Sequence, residues 1–279
     1  MINFRTPWAP LGRRRWFAYP VVLVLLLAAA FVRSAPEPRV PVAAPPGLAP
    51  PAIAVPPLLS PVPSPSIVAP AVSVPKDLVA LAGSVPAKGT GRFSYATGRG
   101  EILGTKGTMR RFRVAVERGS REDLAVFAAQ VEAILGDKRS WIGGGRLRLQ
   151  RVSGADDAAF TVFLATRDTA GRMCASGGVD IRVGGRPYTS CRATGRVIVN
   201  LDRWRLSARP YVAAKVPLTT YRQYVINHEV GHELGRWHQG CPKRGGPAPV
   251  MVQQTLTLRG CTPYAWPRRG GRELVGPGL

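Results

Sequence analysis

The sequence predicts an α+β domain over residues 88–279, a mixed β-sheet packed by one early and one late helix, arranged either as α+β or in three layers. Three observations point there. Short apolar or alternating runs recur at strand length, one stretch near residue 124 repeats its apolar residues at helical spacing, and a second helical pattern runs unbroken up to Gly235.

In chain order, Arg92 to Ala96 and Arg111-Phe112-Arg113-Val114-Ala115-Val116 read as strands, the second turning its arginines outward. Ser120 is the expected cap of the early helix, with Asp123 in its first turn. Leu124, Phe127, Ala128, Val131 and Leu135 share one face until Gly136 ends the pattern. Arg146 to Val152 and Phe160 to Ala165 follow as strands around a Gly/Asp turn at 154–157, and Val179 to Val183 and Arg196 to Leu201 are further candidates. Gly143-Gly144-Gly145 precedes a strand and lacks the Lys and Ser/Thr of a phosphate loop, so it is a turn. Pro217 and a Thr220-x-x-Gln223 capping box announce the late helix.

Ahead of this domain the composition changes twice. Arg5, Arg13, Arg14 and Arg15 precede an uncharged apolar run from Trp16 to Val32, so residues 1–35 read as a cytoplasmic tail and a membrane-directed segment. Arg33 directly after the run favours an uncleaved single-pass anchor, with the N-terminus inside and the rest of the chain extracellular. The alternative is secretion after cleavage near Ala28-Ala29-Ala30. Fourteen of the 27 prolines fall between residues 36 and 75, which makes residues 36–87 a Pro/Ala-rich extracellular linker.

The net charge of +23 is mostly arginine scattered along the chain. Such a field suits a solvated basic surface or anionic cell-envelope polymers; without an aromatic-basic motif, specific nucleic-acid binding is not expected. Cys174, Cys191, Cys241 and Cys261 all lie in the folded part, where export implies pairing into two disulfides. Sequential pairing would close two short loops, although four cysteines permit three connectivities. No C-x-x-C spacing suggests that they hold a metal.

The three histidines of the chain stand together in His228-Glu229-x-x-His232-x-x-Gly235-x-x-His238. On a helix, positions 228 and 232 are one turn apart, so both imidazoles leave one face at a separation that a single zinc ion bridges. Glu229 sits beside that ion without binding it, placed as a general base to take a proton from zinc-bound water. A straight helix would carry position 238 about 15 Å beyond position 228. Gly235 is the residue type that lets the chain turn back there, bringing His238 in as third ligand. Three neutral imidazoles leave a fourth position open, as catalytic zinc sites do.

This extended motif resembles that of the metzincin clan of zinc metallopeptidases, which includes astacins, matrixins and adamalysins. The resemblance implies a metzincin-like sheet, an active-site helix, and a methionine turn beneath the metal, for which Met251 in Pro249-Val250-Met251 is the match. Gln239 after the third histidine, and Gln253 and Gln254 in place of a tyrosine after Met251, depart from the better-known families, leaving the oxyanion-stabilising residue unassigned. From about Cys174 to Pro267, with Asn227 before the motif and Pro249 to Thr255 after it, the chain is also similar to a bacterial envelope family of uncharacterised function.

The expectation is therefore a membrane-tethered extracellular zinc endopeptidase acting on protein or peptide substrates, with Glu229 as base. Two alternatives are a non-catalytic zinc-containing envelope-binding protein and a zinc amidase acting on cell-wall material. A purely structural zinc site has no use for Glu229, which argues against the first.

Overall fold

The computed structural model describes residues 78–279. The membrane-directed segment and linker residues 36–77 lie outside the described residues. Among the described residues no helix is long and apolar enough to cross a membrane.

The main sheet opens with β1 (Phe93–Tyr95), β2 (Ile102–Leu103) and β3 (Thr108–Glu117), then continues after helix α1 (Leu124–Gly136) with β4 (Leu147–Arg151) and β5 (Phe160–Ala165). Helix α2 (Arg167–Ser176) leads to a small hairpin, β6 (Arg182–Val183) with β7 (Arg186–Pro187), before β8 (Cys191–Ala193) and β9 (Arg196–Asn200) complete the sheet. Three helices follow: α3 (Leu201–Leu206), α4 (Arg209–Ala213) and α5 (Leu218–Glu233). The rest is irregular apart from β10 (Arg268–Arg269) and β11 (Arg272–Glu273), and it is closed by a disulfide.

Strand order is β2-β4-β3-β5-β9-β8, with β1 on β3. The β3–β4, β3–β5 and β5–β9 pairs are parallel, and the flanking β2–β4, β8–β9 and β1–β3 pairs are antiparallel. This is a mixed α/β architecture with a mixed sheet covered on both faces. Val114, Val162, Leu164, Val197 and Val199 face the main core with Phe127 and Val131 of α1 and Val225, Ile226 and Val230 of α5. The alternate residues Ala115, Phe163, Ala165 and Ile198 face a smaller core under α2. Because both faces are covered, β5 is buried along its whole length, as a central parallel strand requires. The expectation that β3 would be half-exposed holds only for its first half; from Val114 to Glu117 every residue is buried.

Several boundaries differ from the sequence reading for identifiable reasons. Asp123, not Ser120, caps α1, its Oδ1 accepting from the Val126 amide at 2.8 Å. Arg121 has φ +63°, a left-handed conformation that no helix can include, so α1 starts only beyond it. The expected Thr220 capping box is not formed, because α5 already begins at Leu218. The Leu218 amide donates to the Leu78 carbonyl at 2.7 Å, so the incoming chain satisfies an end group that a capping side chain otherwise would. The Leu81 amide likewise donates to the Arg205 carbonyl, and Asp168 to Ala87, so residues 78–87, assigned to the linker by composition, pack on the domain. The candidate strand Val179 to Val183 does not enter the sheet. Gly184 and Gly185, both left-handed, fold it back into the β6–β7 hairpin.

The disulfides are sequential, Cys174–Cys191 and Cys241–Cys261. The first ties α2 to the terminal strand β8, and the second closes the loop that follows His238.

Candidate metal centre

Helix α5 carries the first two histidines on the face turned toward β8 and the C-terminal loops. It ends in a Schellman motif: the Arg236 amide donates to the Gly231 carbonyl at 2.9 Å and the Gly235 amide to the His232 carbonyl at 3.1 Å. Gly235 has φ +82°, and a Cβ there would meet nothing within 4 Å. Gly235→Ala is therefore expected to cost only the left-handed backbone penalty, about 1–2 kcal/mol, as measured by chemical denaturation.

The turn brings His238 back to the helix. The three imidazoles present nitrogens that all lie within 4.8 Å of one another. His232 Nε2 is 3.2 Å from His228 Nε2 and 3.1 Å from His238 Nε2. Nitrogens bound at about 2.0–2.1 Å to one tetrahedral zinc stand roughly 3.3 Å apart, so the spacing fits that ion.

Protonation makes the fit more specific. His228 Nδ1 lies 2.8 Å from the Val250 carbonyl and His232 Nδ1 2.8 Å from the Arg236 carbonyl. A carbonyl only accepts, so each Nδ1 carries the proton and each Nε2 presents a bare lone pair. Burial, and then the neighbouring His232, hold His228 well below the ordinary histidine range. Burial also lowers His232, and it lowers His238 to about 4. Two bare lone pairs facing each other at 3.2 Å repel, and a second ring proton to separate them is disfavoured. A metal cation relieves that conflict.

Glu229 is buried next to His228 in the helix, and burial pushes its carboxyl up to about 8. A divalent cation at the three imidazoles would pull it back down. Glu229 and the three histidines line a cleft of about 480 Å³. Cys191, Arg192 and Ala193 of β8 line the same cleft, as do the exposed Trp237 and Leu256.

The segment Pro249 to Val252 supports the centre from below. The Val250 carbonyl receives His228, the Met251 carbonyl accepts from the Gln239 amide at 3.1 Å, and the Met251 side chain packs against Gly231 on α5. Tyr224 donates to the Val252 carbonyl at 3.0 Å, and Gln254 Nε2 donates to the carbonyls of Pro249 and Tyr264. Gln254 thus knits the turn together, while Gln253 faces the cleft. Asn227 fixes the helix from its other side: its Oδ1 accepts from Ser140, and its Nδ2 donates to the Gln223 and Ala265 carbonyls.

Two supporting residues escape the sequence reading. A Cβ on Gly231 would lie 2.5 Å from Met251 Sδ and 2.7 Å from the Trp141 ring, so only glycine admits both against the helix here. Gly231→Ala is expected to destabilise by about 1–3 kcal/mol through overpacking and to displace Met251, seen as a lower denaturation midpoint. Glu233, next to His232, accepts from Arg192 at 2.8 Å and from the Gly195 amide at 3.2 Å, fastening the β8–β9 hairpin to α5. An i+1 carboxylate has no motif of its own, and its partner lies 41 residues away.

No curated protein and no solved structure matches the chain. Over residues 80–265, a span that contains the helix, all three histidines, Glu229 and Met251, the chain belongs to the family described as "Protein of unknown function (DUF3152)".

Proposed function

We propose that this chain is a zinc-dependent endopeptidase of metzincin type. The observation that carries this reading is the convergence of three Nε2 atoms, two of them left with bare lone pairs by Nδ1–H bonds to carbonyls, near a buried carboxylate that is not one of the three. His228, His232 and His238 would hold the zinc. When bound there, zinc supplies Lewis-acid polarisation of the scissile carbonyl and acidification of water. Glu229 accepts a proton from the attacking water on its carboxylate and returns it to the leaving amine.

The placement of β8 supports a polymeric substrate. As the last strand of the sheet, β8 has one edge without a sheet partner among the described residues, and it lines the cleft. An extended peptide can add to that edge and lay its scissile bond across the histidines. The Glu233 contacts to Arg192 and Gly195 keep edge and metal helix in register. The apolar run at residues 16–32 and the proline-rich stretch after it make the working arrangement a membrane-tethered catalytic domain outside the cell.

The test is digestion of a peptide library by the full chain in detergent, with and without chelator. Cleavage that chelator stops and zinc restores supports the reading. No cleavage by a protein holding one zinc per chain contradicts it. Chelator-sensitive release from cell-wall material without peptide cleavage would favour an amidase.

A further inference from the structure

The first two ligands are fixed by a buried helix, but the third sits on an irregular loop of five residues between Gly235 and Cys241, where nothing helical sets its position. Something else must hold it, because a ligand displaced by even 0.5 Å weakens a metal site. The segment that meets this loop is the end of the described chain, residues 273–279.

The contacts are backbone-directed and concentrated on His238 to Gly240. Gln239 forms an antiparallel bridge with Gly278. The Gly240 amide donates to the Pro277 carbonyl at 2.7 Å, the Leu279 amide to the His238 carbonyl at 3.3 Å, and the Gly276 amide to Gln239 Oε1 at 3.2 Å. On its other side the same loop is fixed by the Gln239 amide on the Met251 carbonyl. Upstream in this segment, Glu273 pairs with Arg236 at 3.2 Å, and it is the Arg236 carbonyl that receives His232 Nδ1.

Close approach is built in. A Cβ on Gly276 would stand 2.0 Å from the Gly240 carbonyl oxygen, so the segment can lie this near only with glycine there. Yet the segment adds little to the core: Val275 is 54% and Leu279 65% exposed. Its hydrogen bonds hold a place and bury almost no apolar surface. It also lies beyond residue 265, where the family match ends.

We propose that Gln239 and residues 276–279 form a clamp that positions His238 for metal binding, an inference that rests on the zinc reading above. Gln239 is a positioning residue: it touches no reacting atom, and it couples the ligand loop to the methionine turn through its amide and to the tail through its side chain. Without the clamp the loop keeps its two ends, Gly235 and the Cys241–Cys261 disulfide, but His238 samples positions away from its two partners.

The test compares the full chain with a deletion of residues 276–279, with Gln239→Ala and with Gly276→Val. Zinc affinity is measured by competition with a chromophoric chelator, the ligand field by absorption of the cobalt(II)-loaded protein, and folding by melting of the zinc-free protein. The clamp predicts a loss of zinc affinity of about 10–100-fold, the range typical of groups that orient ligands, with an altered cobalt spectrum and an unchanged zinc-free melting temperature. Affinity within twofold of the parent in both the deletion and Gln239→Ala overturns it. So does a lowered zinc-free melting temperature with the parental cobalt spectrum, which would make the tail merely structural. Should the deletion fail to fold, Gln239→Ala decides, since it removes one side-chain acceptor and no backbone. A parent that binds no zinc defeats the zinc reading itself, whereas a zinc-binding parent with indifferent variants defeats only the clamp.

Discussion

Glu229→Gln is expected to lower peptide hydrolysis by about 10²–10⁴-fold while zinc stays at one per chain. Glutamine preserves the shape and burial of the side chain but cannot accept the proton that attack on a peptide bond releases. The three histidines are untouched, since Glu229 is not part of their cluster. Metal content by elemental analysis and hydrolysis of one susceptible peptide check both halves. A variant that cleaves as fast as the parent contradicts the role given to Glu229, and a variant that loses its zinc shows the carboxylate to be a ligand.

Removing the metal should have the largest effect on stability. Zinc at a free concentration a thousandfold above its dissociation constant stabilises the folded state by about 4 kcal/mol, which for a domain of this size is roughly 8–16 °C of melting temperature. The effect should be this direct because the bare domain already holds the unfavourable part of the site: the buried Nε2 lone pair of His228 and the half-buried one of His232 face each other at 3.2 Å with their Nδ1 protons committed to carbonyls. His228→Ala removes both the conflict and the site. It should therefore abolish the shift between zinc-loaded and chelated protein in differential scanning calorimetry, while the chelated melting temperature moves less than a buried histidine truncation ordinarily would. A chelator-insensitive melting temperature in the parent would contradict the metal assignment.

How much of this was legible in the sequence follows from which groups do the work. The three histidines, Glu229 and Gly235 lie within eleven consecutive residues, so helix geometry alone predicts two of the imidazoles on one face and the need for a reversal before the third. The central strands were legible too, since Phe160 to Ala165 is an apolar run bounded by turn residues. Helix α2 was not, because it buries Thr169, Ala170 and Cys174, small or polar residues that leave no apolar stripe. Backbone acceptors were equally invisible: the Val250 and Arg236 carbonyls that set the histidine tautomers have no residue signature. Gly231 reads as a helix-weakening residue until Met251 and Trp141 are seen against it. Long-range partners such as Arg192 for Glu233, or Gly276 for Gln239, depend on a topology that periodicity does not specify.

The most direct test of the central claim is X-ray absorption at the zinc edge on the full chain, purified with its metal, alongside His238→Ala. Three nitrogen scatterers at about 2.0–2.1 Å and one further light ligand are predicted for the parent, with one nitrogen fewer in the variant. A shell that contains sulfur, or one that is identical in parent and variant, would contradict the meeting of these three imidazoles at one ion.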